Sequence, residues 1–306
     1  MPNPRDRLLE INARGTQGLE RLELATVRRI REAYEESRQV LLAAIRQRQA
    51  RLAQELAADE QAALSRALAR DQALFDQVED RLAFLRGQVD DLTRGAWDDA
   101  LDEATDRAEQ EADVLARGLR VGFGFEMIDF ASVEIGLEDA LQALDADQQR
   151  VAAALRAELR AGLVRGDPFD EMIERLLARD AGLWANGRVS AERAARRGVI
   201  DANNGARDAY YRRWRDEIPG LQKQAVAVVG DTTTETCLHV HGQVQPLDEP
   251  YRLQGRKAFR SRMMYPAFHW GCRTSSVAYH ADFERGAAMP TSAMQASARA
   301  ELVRRG

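Results

Sequence analysis

Apolar residues recur at helical spacing through the first third of the chain: Val27, Ile30, Tyr34, Leu41, Ile45, Leu52 and Leu56, then Leu64, Leu68, Phe75, Val78, Leu82, Leu85, Val89 and Leu92. Neither Gly nor Pro interrupts the stretch from Leu19 to Arg86. A helix of that length carries an apolar stripe that must be covered. It either folds back near Ala57 to Gln61 or near Asp71, as a hairpin or bundle, or pairs with another chain as a coiled coil. Gly87 and Gly95 permit an end or bend, and the acidic stretch Trp97 to Ala116 reads as a further, exposed helix.

The pattern then changes. Gly118 to Gly136 concentrates Gly, Phe and β-branched residues and reads as a joint, buried turn or short strand, a packed connector being the plainer account. Leu141 to Leu163 predicts a helix with Val151, Leu155 and Leu159 on one face. Asp167 and Pro168 cap a next helix through Arg179, and Ser190 opens another, rich in arginine and aromatics, that runs to Glu217. After Pro219 the period becomes strand-like: Gln224 to Val229, Gln243 to Leu247 and Thr274 to Tyr279 form a small sheet. The residues from Arg285 onward read as a loosely ordered tail with a short helical segment. The fold class is therefore mainly α with a small C-terminal α+β module. Its boundaries are an acidic long-helix arm at 1–117, a connector at 118–149, a C-terminal domain at 150–284 and a flexible tail at 285–306.

Composition agrees with this. Of 306 residues, 30% are charged and only 6% aromatic, and six of the eight prolines fall from Pro168 onward. Residues 1–150 hold 20 Arg/Lys against 31 Asp/Glu (net −11), and residues 151–306 hold 24 against 18 (net +6), which together give the chain's −5. Binding to nucleic acid by bulk charge is excluded, and any such contact must be local. Met1 to Glu10 lack an apolar run of signal type, so a soluble chain made in the cytosol and without a membrane partner is expected.

Both cysteines and three of the four histidines fall in two short clusters, CLHVHG from Cys237 and HWGC from His269. Two thiolates and two imidazoles suit tetrahedral zinc, with Cys237, His241, His269 and Cys272 as ligands and His239 as the alternative to His241. Such an ion would be structural and would clamp a module too small to bury much surface. A metal-free hydrogen-bonded cluster and a disulfide are the other readings of the same residues.

The ordered set Asp231, Thr232, Cys237, His241, Gly242, then Pro266, His269, Cys272 and Arg273 resembles the signature of the phage head morphogenesis family, the Mu F-like minor head proteins. The resemblance covers about residues 150–280. It implies a structural minor capsid protein of a tailed phage or prophage, located in the virion and associated with the portal. Its expected role is head morphogenesis or genome packaging and delivery, with capsid or scaffold proteins as further partners and no catalytic activity. Self-association through the N-terminal helices is a further expectation. The segment Tyr251 to Tyr265 carries Arg252, Arg256, Lys257, Arg260 and Arg262 with Tyr251, Phe259 and Tyr265 interleaved, which suits phage DNA or an acidic protein surface as well as a plain solvated loop. The alternatives are a metal-dependent hydrolase or nuclease, built on His239, His241 and His269 with Asp231, Asp248 and Glu249, and a DNA-binding adaptor acting through the basic segment.

Overall fold

The computed structural model describes residues 3–56, 60–122, 125, 128 and 169–305, with scattered positions between 137 and 161; side chains at 45, 46, 48–75 and 169–184 are not among them. Helix α1 spans Pro4–Leu56, α2 Glu60–Leu119 and α3 Phe169–Trp214. Strand β1 (Gln222–Val226) is followed by the short helix α4 (Glu235–Val240), β2 (Val244–Pro246), a β3–β4 pair (Tyr251–Arg252 and Arg262–Met263), β5 (Ser275–Tyr279), a 3-10 turn (Ala281–Phe283) and α5 (Thr291–Arg305). The chain is mainly helical, with a small C-terminal sheet and helix region. No helix among the described residues is long and apolar enough to cross a membrane.

The long helices divide between two compact units, 1–24 with 95–139 and 195–306, and 25–94 with 140–194. These cut across the boundaries read from the sequence. In the second unit, Val27, Ile30, Tyr34, Leu41, Val78, Leu85 and Val89 are buried, as their spacing predicts. Arg81 reaches Glu36 at 3.2 Å and Arg31 reaches Glu192 at 2.7 Å, tying α1 to α2 and to α3. These seven stripe residues are thus covered within the chain. The described positions from 137 to 161 are helical. Ile45, Leu52, Leu56, Leu64, Leu68 and Phe75 of the stripe, Val151, Leu155 and Leu159, the Asp167–Pro168 cap and most of the connector lie outside the described residues or side chains.

In the first unit α1 and α2 are antiparallel. A Cβ on Gly15 would collide with the Arg107 guanidinium, and one on Gly18 would lie 3.2 Å from Glu103. Several expectations differ from the structure. Gly87 and Gly95 do not interrupt α2, and α3 is one helix where two were expected, because a helical glycine costs only about 1 kcal/mol and packing outweighs it. The stretch Trp97 to Ala116 is not an exposed helix: Ala96, Ala100, Ala104, Ala108 and Ala112 form a buried stripe of small residues beside Trp97 and Leu115. The expected short helical segment of the tail is α5, longer than expected, and it buries Met294 and Ala298.

Burying these faces leaves polar groups that need partners. Arg207 and Glu111, both fully buried, form an ion pair; Tyr211 Oη donates to Glu111 at 2.6 Å and Arg207 donates to Asn12 Oδ1 at 3.1 Å. The sheet has the antiparallel order β2-β1-β5, with Gln224 opposite both Val244 and Val277. Lys223, fully buried in the central strand, spends its three protons on Asp208 Oδ1 (3.2 Å), Leu247 O (3.1 Å) and Met264 O (2.8 Å), which fixes the sheet to α3 and to the loop before β5.

Replacing Glu111→Gln leaves Arg207 without a counter-charge in the interior and is expected to cost about 3–5 kcal/mol. Asp113→Asn, which removes the exposed pair with Arg117, should cost less than about 1 kcal/mol. Urea unfolding of the two variants against the parent chain checks the difference.

Candidate metal centre

Thr234 accepts from Cys237 N and starts α4, so Cys237 lies in the first turn with its side chain buried. His269 and Cys272 come from the other cluster, on a turn closed by Cys272 N donating to His269 O at 3.1 Å. Gly271 takes φ +70 there, a conformation that residues with a Cβ rarely adopt. The turn is held from α3: Asp201 Oδ1 accepts from Ala267 N at 3.0 Å, and Arg197 pairs with Asp201 and lies over the Phe259 and Trp270 rings. Both cysteines belong to an apolar cluster with Ile200, Ala225, Val240, Tyr251 and Phe268.

Cys237 Sγ lies 3.7 Å from Cys272 Sγ and 2.9 Å from His269 Nε2. The three donor atoms lie within 4.8 Å of one another and could hold a metal ion. Two sulfurs at ~2.3 Å from a tetrahedral zinc stand about 3.8 Å apart, so the sulfur separation fits that ion. His269 Nδ1 lies 2.8 Å from Trp270 O, which can only accept. Nδ1 therefore carries a proton, and Nε2 faces the sulfurs and Thr234 Oγ1, the latter at 2.7 Å. Acceptance by Cys272 and burial push the Cys237 thiol up. Burial opposes ionisation of Cys272, but donation from Cys237 and His269 holds it well below the usual thiol range. Burial alone would lower the His269 pKa; contact with Cys272 and Trp270 raises it instead. Nearby, burial pushes the Glu23 carboxyl up to about 7 despite Arg196 and Arg273.

The fourth expected ligand is not part of this group. His241 is the C-cap of α4, with φ −58 and ψ 124, so the chain has left the helix and the four-residue spacing no longer aligns it with Cys237. Its Nδ1 accepts from Ala227 N at 3.0 Å. His239 does not replace it, facing Glu235 at 3.5 Å. Thr234, Asp201 and Arg197 escaped the sequence reading, although a Thr just before a short helix is a cap signal.

Of the signature residues, Asp231 is exposed and pairs with Arg304 of α5, Thr232 is exposed, Gly242 takes φ +79, Pro266 is buried and Arg273 pairs with Glu20 at 2.8 Å. Asp248 and Glu249 are exposed, and no carboxylate belongs to the metal-competent group among the described residues. Arg252, Arg256, Lys257, Arg260 and Arg262 are all exposed on the β3–β4 hairpin, and none has a carboxylate partner among the described residues. Arg252 stands directly opposite Arg262. The interleaved aromatics do not form a free stacking row: Tyr251 is fully buried, meeting Ser276 Oγ and the Phe268 edge, and Phe259 packs edge-on against Trp270.

Burial lowers the His241 pKa from 6.5 to about 4. The unfolded chain therefore takes up a proton that the folded chain refuses. That contribution to stability is present above pH 6.5 and is lost as pH falls toward 4, up to about 3 kcal/mol. His241→Asn keeps an acceptor for Ala227 N–H without titrating, so the acid-dependent fall in urea midpoint should be shallower than in the parent. Comparison with known proteins adds no relative: no family model, no curated protein and no solved structure matches the chain.

Proposed function

We propose that this chain is a structural minor head protein of a tailed phage or prophage, associated with the portal and acting in head assembly or genome delivery, with a structural zinc ion in its C-terminal module. The observation that carries the reading is the meeting of Cys237, His269 and Cys272, three members of the ordered residue set that resembles the Mu F-like signature, although they come from segments about 35 residues apart. In this reading Cys237, His269 and Cys272 would hold the ion, which would take the place of the proton shared among the two sulfurs and the imidazole. Its role is to clamp α4 to the turn before β5. The virion is the proposed location, and portal, capsid or scaffold proteins are the proposed partners.

The unpaired cations of the β3–β4 hairpin favour a second contact, with the phosphates of packaged DNA. Two arginines facing each other across a strand pair repel, a cost that a polyanion would offset.

Elemental analysis of the purified chain should find one zinc per chain, lost in a Cys237→Ser, Cys272→Ser variant and retained in His241→Asn. Zinc lost from His241→Asn would return that residue to the ligand set. In a phage or prophage background, the parent chain should copurify with portal-containing heads, and deletion of its gene should reduce filled heads; normal heads without the protein would overturn the assignment. Replacing the five hairpin cations by Gln should flatten the salt dependence of binding to double-stranded DNA, and an unchanged salt slope would remove the DNA contact.

A further inference from the structure

We propose that Cys237 and Cys272 are an oxidisable dithiol, so that the two sulfurs have mutually exclusive states: joined through a metal ion, or joined to each other. The geometry points to this directly. The sulfurs are already in van der Waals contact at 3.7 Å, and both are buried in the same apolar cluster. Closing a disulfide requires them to approach to about 2.05 Å. That movement falls on the turn carrying Cys272, whose preceding residues Trp270 and Gly271 are at the surface, with Trp270 52% exposed. The oxidant class is a peroxide, small enough to enter when this turn opens. One cysteine thiolate displaces hydroxide from hydrogen peroxide and becomes a sulfenic acid. The other sulfur then attacks it and forms the S–S bond, its proton leaving with the departing hydroxyl as water. The two thiols lose two electrons and two protons overall, and the peroxide is reduced to two waters. A bound ion occupies the lone pairs that both steps need, so it blocks the reaction, and forced oxidation expels it.

The inference rests on the sulfur contact and stands whether or not zinc is the resident ion. The test uses the full chain, stripped with a chelator or loaded with zinc, and treated with a small excess of hydrogen peroxide. In the stripped chain both thiols should disappear from titration in denaturant, the intact mass should fall by two hydrogens, and peptide mapping should join the peptides of Cys237 and Cys272 within one chain. The urea midpoint should rise and return on reduction. The zinc-loaded chain should lose its thiols more slowly and release metal as it does so. Two thiols persisting in the stripped chain, separate sulfinic acids on each cysteine, or a crosslink only between chains would overturn the proposal. A stripped chain that closes its disulfide, paired with a zinc-treated chain that binds no ion, would uphold the oxidisable dithiol while overturning its metal-bound state and the zinc assignment. No variant has to fold for this result. Cys272→Ser adds a control in which the intrachain product cannot form.

Discussion

The buried pair of Arg207 and Glu111 constrains everything around it. Removing two charges from water costs several kcal/mol each, a cost offset here by partners on several elements, although Arg207 Nε has no hydrogen-bond partner among the described residues. Those partners come from different elements. Asn12 of α1 takes a proton from Arg207 and another from Ser275 at 2.8 Å, and Tyr211 of α3 donates to the free oxygen of Glu111. Asn204, two turns before Tyr211, accepts from Ser276 N at 3.0 Å. The start of β5, just beyond Cys272, is thus bonded directly to α1 and α3, and through Tyr211 and Glu111 linked to α2. The position of the Cys/His turn follows from a polar network that the cysteines themselves do not join.

That dependence separates the scaffold from the chemistry. Lys223 and the Asp201–Ala267 bond hold the approach to the turn, and the Arg207 network holds its exit. Between these fixed points only a few residues carry sulfur and imidazole, inside an apolar cluster where a shared proton or an ion is the natural occupant. His241 is used differently: neutral, and bound to the backbone of the segment that leaves β1.

Much of the fold was legible in the sequence, for definite reasons. The three strands of the sheet overlap the stretches read as strand-like, although β1 (Gln222–Val226) begins and ends earlier than Gln224–Val229, and the described stripe residues from Val27 to Val89 gave a covered face of α1 and α2. The convergence of Cys237, His269 and Cys272 followed from their clustering. What escaped is equally specific. Alanines every four residues from Ala96 to Ala112 look like a solvated helix in composition, yet small side chains are what allow helices to approach closely. Gly15 reads as a weak point in α1 but makes room for the Arg107 side chain. Helical spacing between Cys237 and His241 misled because the helix ends between them, a fact of backbone dihedrals that residue types do not encode.

The first turn of α1 is stitched to the far end of the chain. Arg5 donates to Met289 O across 284 residues, bonds Gln224 and faces Glu284, while Asp6 accepts from Ala288 N. A ribosome delivers Arg5 and Asn12 long before any of these partners exists. The first compact unit therefore cannot close until its last elements are made; Leu8 and Ile11 share their cluster with Ala108, Ala112 and Leu115 of α2, which emerge earlier, but that cluster stays incomplete until β5 and the 3-10 turn follow. Folding of this unit thus waits on the last of its elements to be made, and its vulnerable interval is set by translation time rather than by the intrinsic speed of helix formation.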